Sequence, residues 1–338
     1  MKRNNLVKLL ILSSLLSGIC FSCDNSSSSS QVIEYFNINN IKYSLEDGVV
    51  YVEGISSSET TLTIPSEVSY QNTTYNVSAI RKKAFYNSSL VSISLPNTIH
   101  KIGREAFRGS TSLTTINFPS SIDDVREAAF KGCTSLDNIS IPKSWVNIPN
   151  NCFDGCTSLK TINLENGLEI FHKECFQGCT SLTNITLPTT TTSLGSFTFA
   201  ECTSLSRIDI PSNVEKLKDG VFYNCSSLEE IIIAPNIDEV GVASFSGCTS
   251  LKSFIFPIDC HIIKAESFRY CSSLTAFYIP GKINSIEANV FTESGLKDLY
   301  INASEDEWEE ITVDETNTTD NNPYKEAEFH FNYKLEEL

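Results

Sequence analysis

Cysteines at a fixed spacing are the residues of this chain with the widest range of possible chemistry. Seven of them stand three positions after a phenylalanine, beginning with Phe130-Lys-Gly-Cys133, and each follows the previous one by 23 residues. A thiol can form a disulfide, bind a metal ion or act as a nucleophile, and each role requires particular neighbours. The seven are Cys133, Cys156, Cys179, Cys202, Cys225, Cys248 and Cys271.

Partners for catalysis or metal binding are not apparent in the sequence. A nucleophilic thiol needs a base within hydrogen-bond reach, and zinc needs three or four converging ligands. The four histidines are His100, His172, His261 and His330, and their spacing places no two of them close together. No glycine-rich phosphate loop is present either. We therefore expect a non-enzymatic protein with no cofactor and no metal site.

The phenylalanines mark a repeat that must position these cysteines. They recur every 23 residues from Phe107 to Phe291, and Phe85 precedes Phe107 by 22, so ten units are visible. Each unit carries the pattern L-x-x-I-x-L-P, as in Leu113 to Pro119, which predicts a short strand with one buried face that ends at the proline. A unit this small cannot bury its own apolar face, so the units are expected to stack.

Two further features of the repeat concern its regularity. Glycine often stands two places after the phenylalanine, as at Gly109, where a chain that leaves a helical turn needs a left-handed residue; Glu201 and Tyr270 depart from this tendency. Glu165 replaces the strand-ending proline of one unit, and Thr191 replaces an apolar core residue in the next. These replacements predict a looser stack over residues 159–194.

The phrase I-x-x-x-A-F-x-x-C-x-S-L at 23-residue spacing resembles the BspA-like leucine-rich-repeat family of bacterial surface proteins. The resemblance extends from about Val32 to the C-terminus. It implies an α/β solenoid, a right-handed stack with one short strand per repeat, a β-rich N-terminal cap and a C-terminal cap. It also implies adhesion to host extracellular-matrix proteins or to other bacteria.

The stacking of the repeat units indicates which of these chemical roles the cysteines have. Neighbouring units lie about 4.8 Å apart, within the Cα range of a disulfide, but equivalent side chains in a ladder point the same way. The same column holds Ser88, Ser110 and Ser294, which indicates a small side chain that donates weakly to a backbone carbonyl. We predict reduced, structural cysteines. A bond between Cys152 and Cys175, which precede the phenylalanines of adjacent units, stays open.

The N-terminal residues predict export. A basic start precedes an apolar run from Leu9 to Ile19, which is too short to span a bilayer, and two cysteines follow. Small Ser22 precedes Cys23, which makes Cys23 the better lipidation site; ordinary cleavage and secretion is the alternative. We predict a lipoprotein signal peptide over residues 1–23 and a serine-rich tether over 24–31. Lipid would then anchor the protein in the cell envelope, at the outer membrane or cell surface.

The predicted domain organisation places a cap at each end of the repeats. Residues 32–84 form the N-terminal β cap and irregular first repeat, with a hairpin around Asp47-Gly48. Repeats occupy residues 85–302, and a C-terminal cap occupies 303–338. In that cap, Ser304 is expected to cap a short helix carrying Trp308, and the segment EAEFHFNY is expected to form a final strand. The carboxylates there could hold calcium weakly, although no EF-hand spacing is present.

The exposed strand positions predict where partners bind. The fifth place of the strand is polar from Ser94 to Asp209, and large side chains occupy it in the last four units. These four residues, hereafter the apolar strip, are Ile232, Ile255, Tyr278 and Tyr300. Residues that flank the strip are Arg207, Glu229, Glu230, Lys252, Lys297 and Asp298. Contiguous exposed apolar side chains favour a binding surface, unless the C-terminal segment folds over them.

The net charge of the chain limits the classes of molecule that it is expected to bind. The formal net charge is −16, which disfavours nucleic acid and anionic lipid headgroups. We therefore expect a monomeric protein that binds a protein or another cell-surface macromolecule and contacts the membrane only through its lipid. The alternatives are an envelope scaffold that faces the periplasm, and glycan capture by Tyr278 and Tyr300.

Overall fold

The computed structural model describes residues 33–234, 236–319 and 322–334. The predicted signal peptide, the lipidation site at Cys23 and the serine-rich tether lie outside these residues, as do the last four residues of the C-terminal cap. In the described part of the chain, the helices are all too short or too polar to cross a bilayer. The chain coils into a solenoid whose successive turns pair through parallel strands.

Antiparallel strands form the N-terminal cap, as predicted. The strands of this region are β1 (Glu34–Ile38), β2 (Ile41–Glu46), β3 (Val49–Ile55), β4 (Thr61–Thr63), β5 (Glu67–Tyr70) and β6 (Thr73–Ile80). Asp47 and Gly48 join β2 to β3 with positive φ angles of 51° and 79°, which suits a tight hairpin turn. β3 then pairs in parallel with β6, and this pairing starts the solenoid.

Most of the following turns contribute two short strands, whereas the sequence predicted one. One strand extends a first ladder that starts at β4, and the other extends a second ladder that starts with the β3–β6 pairing. The first ladder continues through β7 (Ser92–Ser94), β9 (Thr115–Ile116), β11 (Asn138–Ile141), β13 (Thr161–Leu164), β16 (Arg207–Asp209), β18 (Glu230–Ile232), β20 (Ser253–Ile255), β22 (Ala276–Ile279) and β24 (Asp298–Ile301). The second ladder continues through β8 (Lys101–Ile102), β10 (Asp124–Val125), β12 (Asn147–Ile148), β14 (Ile170–Phe171), β15 (Ser193–Leu194), β17 (Lys216–Leu217), β19 (Glu239–Val240), β21 (Ile262–Ile263) and β23 (Ser285–Ile286). The strands of this second ladder are two residues long, too short for a period-two pattern to reveal.

The ladders run in sections rather than continuously. Among the described residues, both ladders lack strand pairing at the same two steps: from β9 and β10 to β11 and β12, and from β18 and β19 to β20 and β21. Between β13 and β16 the first ladder is reduced to a bridge from Asn184 to Arg207, and buried Thr191 has no partner for its hydroxyl. The stack is therefore interrupted in the predicted loose region, but only on the first ladder.

An unbroken column of aromatic rings runs through the core. The ten repeat phenylalanines from Phe85 to Phe291 are buried. Neighbouring rings are stacked with centroids 5.0 to 6.1 Å apart and planes within 21°. Backbone hydrogen bonds accompany the rings, as from Phe107 N to Ala129 O at 2.7 Å. The units are thus held together at the phenylalanines even where their strands do not pair.

Every turn contains a left-handed residue on each side of its phenylalanine. The predicted column two places after the ring has positive φ throughout, including Glu201 and Tyr270, both at 61°. A second column, two places before the ring, has φ between 53° and 62°, and its residues include Glu105 and Ala128. These backbones direct their N–H groups toward the next unit, as from Glu105 N to Glu127 O at 3.0 Å. Glutamate and alanine carry no turn signal, so the sequence did not predict this column.

The C-terminal segment completes one more turn of the solenoid. It contains α1 (Glu305–Glu309), β25 (Thr312–Val313), a 3-10 helix (Glu315–Thr318), α2 (Pro323–Glu326) and β26 (Glu328–His330). Ser304 caps α1 and Trp308 is buried, as predicted. β25 extends the second ladder, β26 extends the first, and Tyr324 stacks on Phe291 at 6.2 Å. The sequence of this segment departs from the repeat pattern, but its backbone still follows the course of a repeat.

Replacing Glu201 by glycine is expected to stabilise the protein by about 0.5–1 kcal/mol. A non-glycine residue in the left-handed region costs about 1–2 kcal/mol, and the greater freedom of glycine in the unfolded chain offsets part of the gain. Thermal unfolding of the two proteins measures the difference. Glu215→Gly is the matched control, because Glu215 is also exposed but has no positive φ; it should lower the melting temperature slightly. A lower melting temperature for Glu201→Gly would contradict the interpretation.

Candidate functional site

The cysteine column lies inside the turns and donates hydrogen bonds to the backbone. Each of its seven Sγ atoms lies 3.1 to 3.4 Å from the carbonyl oxygen of the phenylalanine in the preceding unit, as from Cys133 to Phe107. Ser110 makes the same bond to Phe85 O at 2.6 Å, which explains why serine and cysteine share the column. All ten described cysteines, including Cys152 and Cys175, are free and buried.

Burial also makes these thiols poor nucleophiles and poor metal ligands. It raises the pKa of Cys133, Cys202 and Cys271 to about 12, and it holds the pKa of Cys179 and Cys248 well above the usual range. Thiolate, which is the reactive and metal-binding form, is therefore scarce at neutral pH. The column has the geometry of a packing element.

Two of the histidines are bound to backbone carbonyls of the next unit. The Nδ1 atom of His100 lies 3.0 Å from Ser121 O, and that of His261 lies 2.7 Å from Lys282 O. Both side chains are exposed, as is that of His172. His330 differs, since its Nε2 atom lies 3.1 Å from Asp298 Oδ1.

The apolar strip divides into an exposed half and a covered half. Ile232 and Ile255 are each 47% exposed, whereas Tyr278 and Tyr300 are half-buried. The two tyrosine rings stack on each other at 4.6 Å, and Tyr333 of the C-terminal segment lies tilted against both of them. The C-terminal segment therefore folds over the tyrosines and leaves the isoleucines open to solvent.

The charged residues beside the exposed half pair with each other across units. Arg207 Nη1 lies 2.5 Å from Glu230 Oε2, and Lys252 Nζ lies 3.2 Å from Glu229 Oε2. All four side chains are about half exposed or more, so these pairs contribute little stability. They do leave this edge of the strip close to electrically neutral on a chain that is otherwise strongly acidic. Lys297, beside the tyrosines, is exposed.

A groove opens beside the two isoleucines, between β18 and β20. It has a volume of about 560 Å³. Its apolar lining residues, which define the strand-face groove, are Ile231, Ile232, Ile233, Phe254, Ile255, Phe256, Pro257, Ile258 and Pro280. It lies at a step where neither ladder pairs, while Phe222 and Phe245 still stack at 5.5 Å. The two units are therefore in contact at the phenylalanine column, but on the strand face their strands do not pair.

The residues that line this groove explain why it opens there. The run Ile231-Ile232-Ile233 breaks the alternation of the other strands, and Ile231 and Ile233 are only half-buried. The next unit has buried Phe254 and Phe256 at the corresponding places. The other step at which both ladders stop also brings bulky rings into the core, since Phe118 packs on Trp145 at 5.0 Å. Sequence reasoning missed the groove, although the run of three isoleucines is a visible signal.

Comparison with known proteins identifies relatives of this repeat. The family described as BspA type Leucine rich repeat region matches residues 78–206 and 192–314, in six copies. Comparison with curated proteins found no match.

Comparison with solved structures also finds similar proteins, of which the first below has the same fold. The pneumococcal vaccine antigen PcpA is 18% identical, with a TM-score of 0.53; the match covers 88% of this chain and 98% of that one. A leucine rich cell surface protein from Faecalibacterium prausnitzii A2-165 is 23% identical, with a TM-score of 0.46 and coverage of 86% and 99%. The T. pallidum leucine rich repeat protein is 27% identical, with a TM-score of 0.45 and coverage of 64% and 90%.

Because the cysteine thiols are buried, we expect the free energy of unfolding to fall at alkaline pH. In the unfolded chain a thiol ionises near pH 8.5, whereas in the folded chain Cys202 keeps its proton up to about pH 12. Above about pH 8.5 the unfolded state therefore binds fewer protons, and stability falls by up to about 1.4 kcal/mol per pH unit for each such thiol. The contribution is fully present below pH 8.5 and is lost as the pH rises toward 12.

Urea unfolding between pH 8 and pH 10 would measure this slope. A variant with serine in place of Cys179, Cys202 and Cys225 is the matched control, because Ser110 shows that serine satisfies the same carbonyl. Its stability should fall less steeply with pH than that of the unchanged protein. Parallel losses in the two proteins would show that other groups cause the alkaline sensitivity.

Proposed function

The chain belongs to the BspA-type leucine-rich-repeat family, and from that premise we propose that it is a non-catalytic surface protein that binds a partner protein through the C-terminal half of its strand face. The observation that carries this proposal is the strand-face groove with Ile232 and Ile255 at its edge. The same strand place is polar and exposed in the six preceding units. An apolar surface confined to one step of a repeat is typical of a binding site rather than of ordinary exposure.

The shape of the groove favours an extended segment of the partner. Among the residues that the structure describes, no strand pairing joins β18 to β20, so an edge of each strand faces the groove. An extended peptide can add its backbone hydrogen bonds to such an edge while its apolar side chains enter the groove. The partner we propose is therefore a protein that presents an extended apolar segment. Since the flanking charges already pair with each other, binding should depend little on salt.

The tyrosine half of the strip is less suited to binding. Tyr300 is stacked between Tyr278 on one face and His330 on the other, at 4.6 and 4.4 Å. Sugar recognition needs a free aromatic face, so glycan capture by this pair is disfavoured. The tyrosines serve better as a support that fixes the C-terminal end of the strand face.

Location at the cell surface is the second part of the proposal. The basic and apolar N-terminus and the Ser22-Cys23 pair support export and lipidation at Cys23. We propose, from the resemblance to the family, adhesion to host extracellular proteins or to other bacteria, and an envelope scaffold that faces the periplasm is the alternative.

Proteolysis of intact cells that express the chain would decide between these locations. We expect cleavage within the repeats, and a mature N-terminus whose mass shows acyl chains on Cys23. A Cys23→Ala variant should lose the acyl mass and leave the membrane fraction. An acylated chain that stays protected until the envelope is opened would support the periplasmic alternative.

Selection from a random peptide library displayed on phage would test the groove without a known partner. We expect the full chain to enrich extended apolar segments. The double variant Ile232→Ser with Ile255→Ser should bind them roughly tenfold or more weakly, a loss of about 1.4 kcal/mol or more.

The control for this selection removes the same kind of side chain elsewhere. Val146 and Val242 are 50% and 40% exposed and do not line the groove, so changing both to serine should leave peptide binding unchanged. Enriched peptides that bind all three proteins equally, or that share no apolar pattern, would argue against the proposed site. Equal melting temperatures of the three proteins would show that the substitutions act on binding rather than on folding.

A further inference from the structure

Three side chains with metal-ligating atoms meet where the last repeat joins the C-terminal cap. They are Asp298, Glu328 and His330, and one ligand atom of each lies within 4.8 Å of the other two. His330 Nε2 lies 3.1 Å from Asp298 Oδ1. We propose that these three residues bind a divalent first-row transition metal ion.

Pairing of two strands assembles this group from distant parts of the sequence. Asp298 lies on β24, and Glu328 and His330 lie on β26, which pairs with β24 in parallel. The register sets Asp298 opposite Glu328 and Tyr300 opposite His330. Because residues two apart on a strand share a face, all three ligands and Tyr300 lie on the same face of the sheet.

The histidine ring is held in the orientation that a ligand needs. It stacks on Tyr300 with centroids 4.4 Å apart and planes within 13°. This contact directs its Nε2 atom toward Asp298. About a third of each of these two side chains is exposed, and Glu328 is exposed, so the group is accessible to an ion and leaves room for water ligands.

The charges of the group favour a cation. Asp298 and Glu328 occupy neighbouring ladder positions, where like charges repel. Within the described ranges, no lysine or arginine nitrogen lies within 4.0 Å of either carboxylate. Elsewhere in the stack carboxylates do have such partners, as Asp124 has Lys101 at 3.0 Å.

The donor set indicates which ion the group would prefer. Imidazole nitrogen with carboxylate oxygen suits zinc and its neighbours, whereas calcium and magnesium prefer oxygen alone. The sequence suggested weak calcium binding by carboxylates of this cap; the structure adds a histidine that calcium would not use. The buried cysteines should not compete for zinc, since burial raises the pKa of thiols such as Cys179 and Cys248 well above the usual range.

A bound ion would tie the cap to the repeats. It would bridge β24 to β26 beside the Tyr278 and Tyr300 stack, and so stabilise the C-terminal end of the strand face. Binding a ligand to the folded state alone raises the melting temperature as the ligand concentration rises.

Zinc titration of the full chain would test the site. Cys20 and Cys23 lie outside the described residues, so both are changed to serine in every protein compared. We expect one zinc ion per chain by calorimetry and a melting temperature that rises with zinc but not with calcium. His330→Gln and Glu328→Gln should each weaken binding by roughly tenfold or more. His172→Gln, which changes an exposed histidine distant from the group in sequence, should leave binding unchanged.

Cobalt spectra would identify the ligands independently. Bound cobalt should give visible bands that His330→Gln abolishes, without the intense near-ultraviolet band of a cobalt–thiolate bond. That thiolate band, or zinc affinity unchanged in His330→Gln, would overturn the proposal in favour of cysteine ligation. Absence of any binding at about millimolar zinc, an affinity equivalent to about 4 kcal/mol, would show that the three residues form an ion pair only.

Discussion

Each unit of this protein can bury its apolar residues only against its neighbours, and the column of stacked phenylalanine rings is where that burial is most complete. Rings from Phe85 to Phe291 follow one another without interruption, and Tyr324 extends the column into the cap. The backbone must pass around each ring within a few residues, which accounts for the left-handed residues on both sides of it. The cysteine column belongs to the same arrangement, since its Sγ atoms bond to the phenylalanine carbonyls.

Because the phenylalanine column holds the units together, the strand face can open without separating the stack. The ladders stop together at two steps, and at both steps the rings remain in contact. One of these openings exposes Ile232 and Ile255 beside the strand-face groove. In this solenoid the side that maintains stability and the side proposed to bind partners are therefore different sides of the same turns.

The C-terminal segment determines how much of that second side is available. It adds one turn of irregular length, which covers the last repeat. In this turn β25 extends the second ladder, β26 extends the first ladder, and Tyr324 extends the column of phenylalanine rings. In doing so it brings Tyr333 over the tyrosines of the strip and His330 beside Asp298. The covered half of the strip and the proposed metal site are both consequences of this extra turn.

The sequence by itself determined the repeat length, the solenoid and the small, buried character of the cysteine column. It could do so because ten units place the same residue types in the same surroundings, and because the Asp47-Gly48 turn and the Ser304 cap depend on nearby residues alone. The second ladder, the left-handed Glu105 and Ala128, the groove and the group around His330 were decided only by the tertiary structure. Each of these depends on how one turn sits on the next: on the register between strand residues 22 to 31 apart, and on whether a neighbouring turn carries isoleucine or phenylalanine. Local sequence patterns do not specify those relations, whereas the packing of complete turns does.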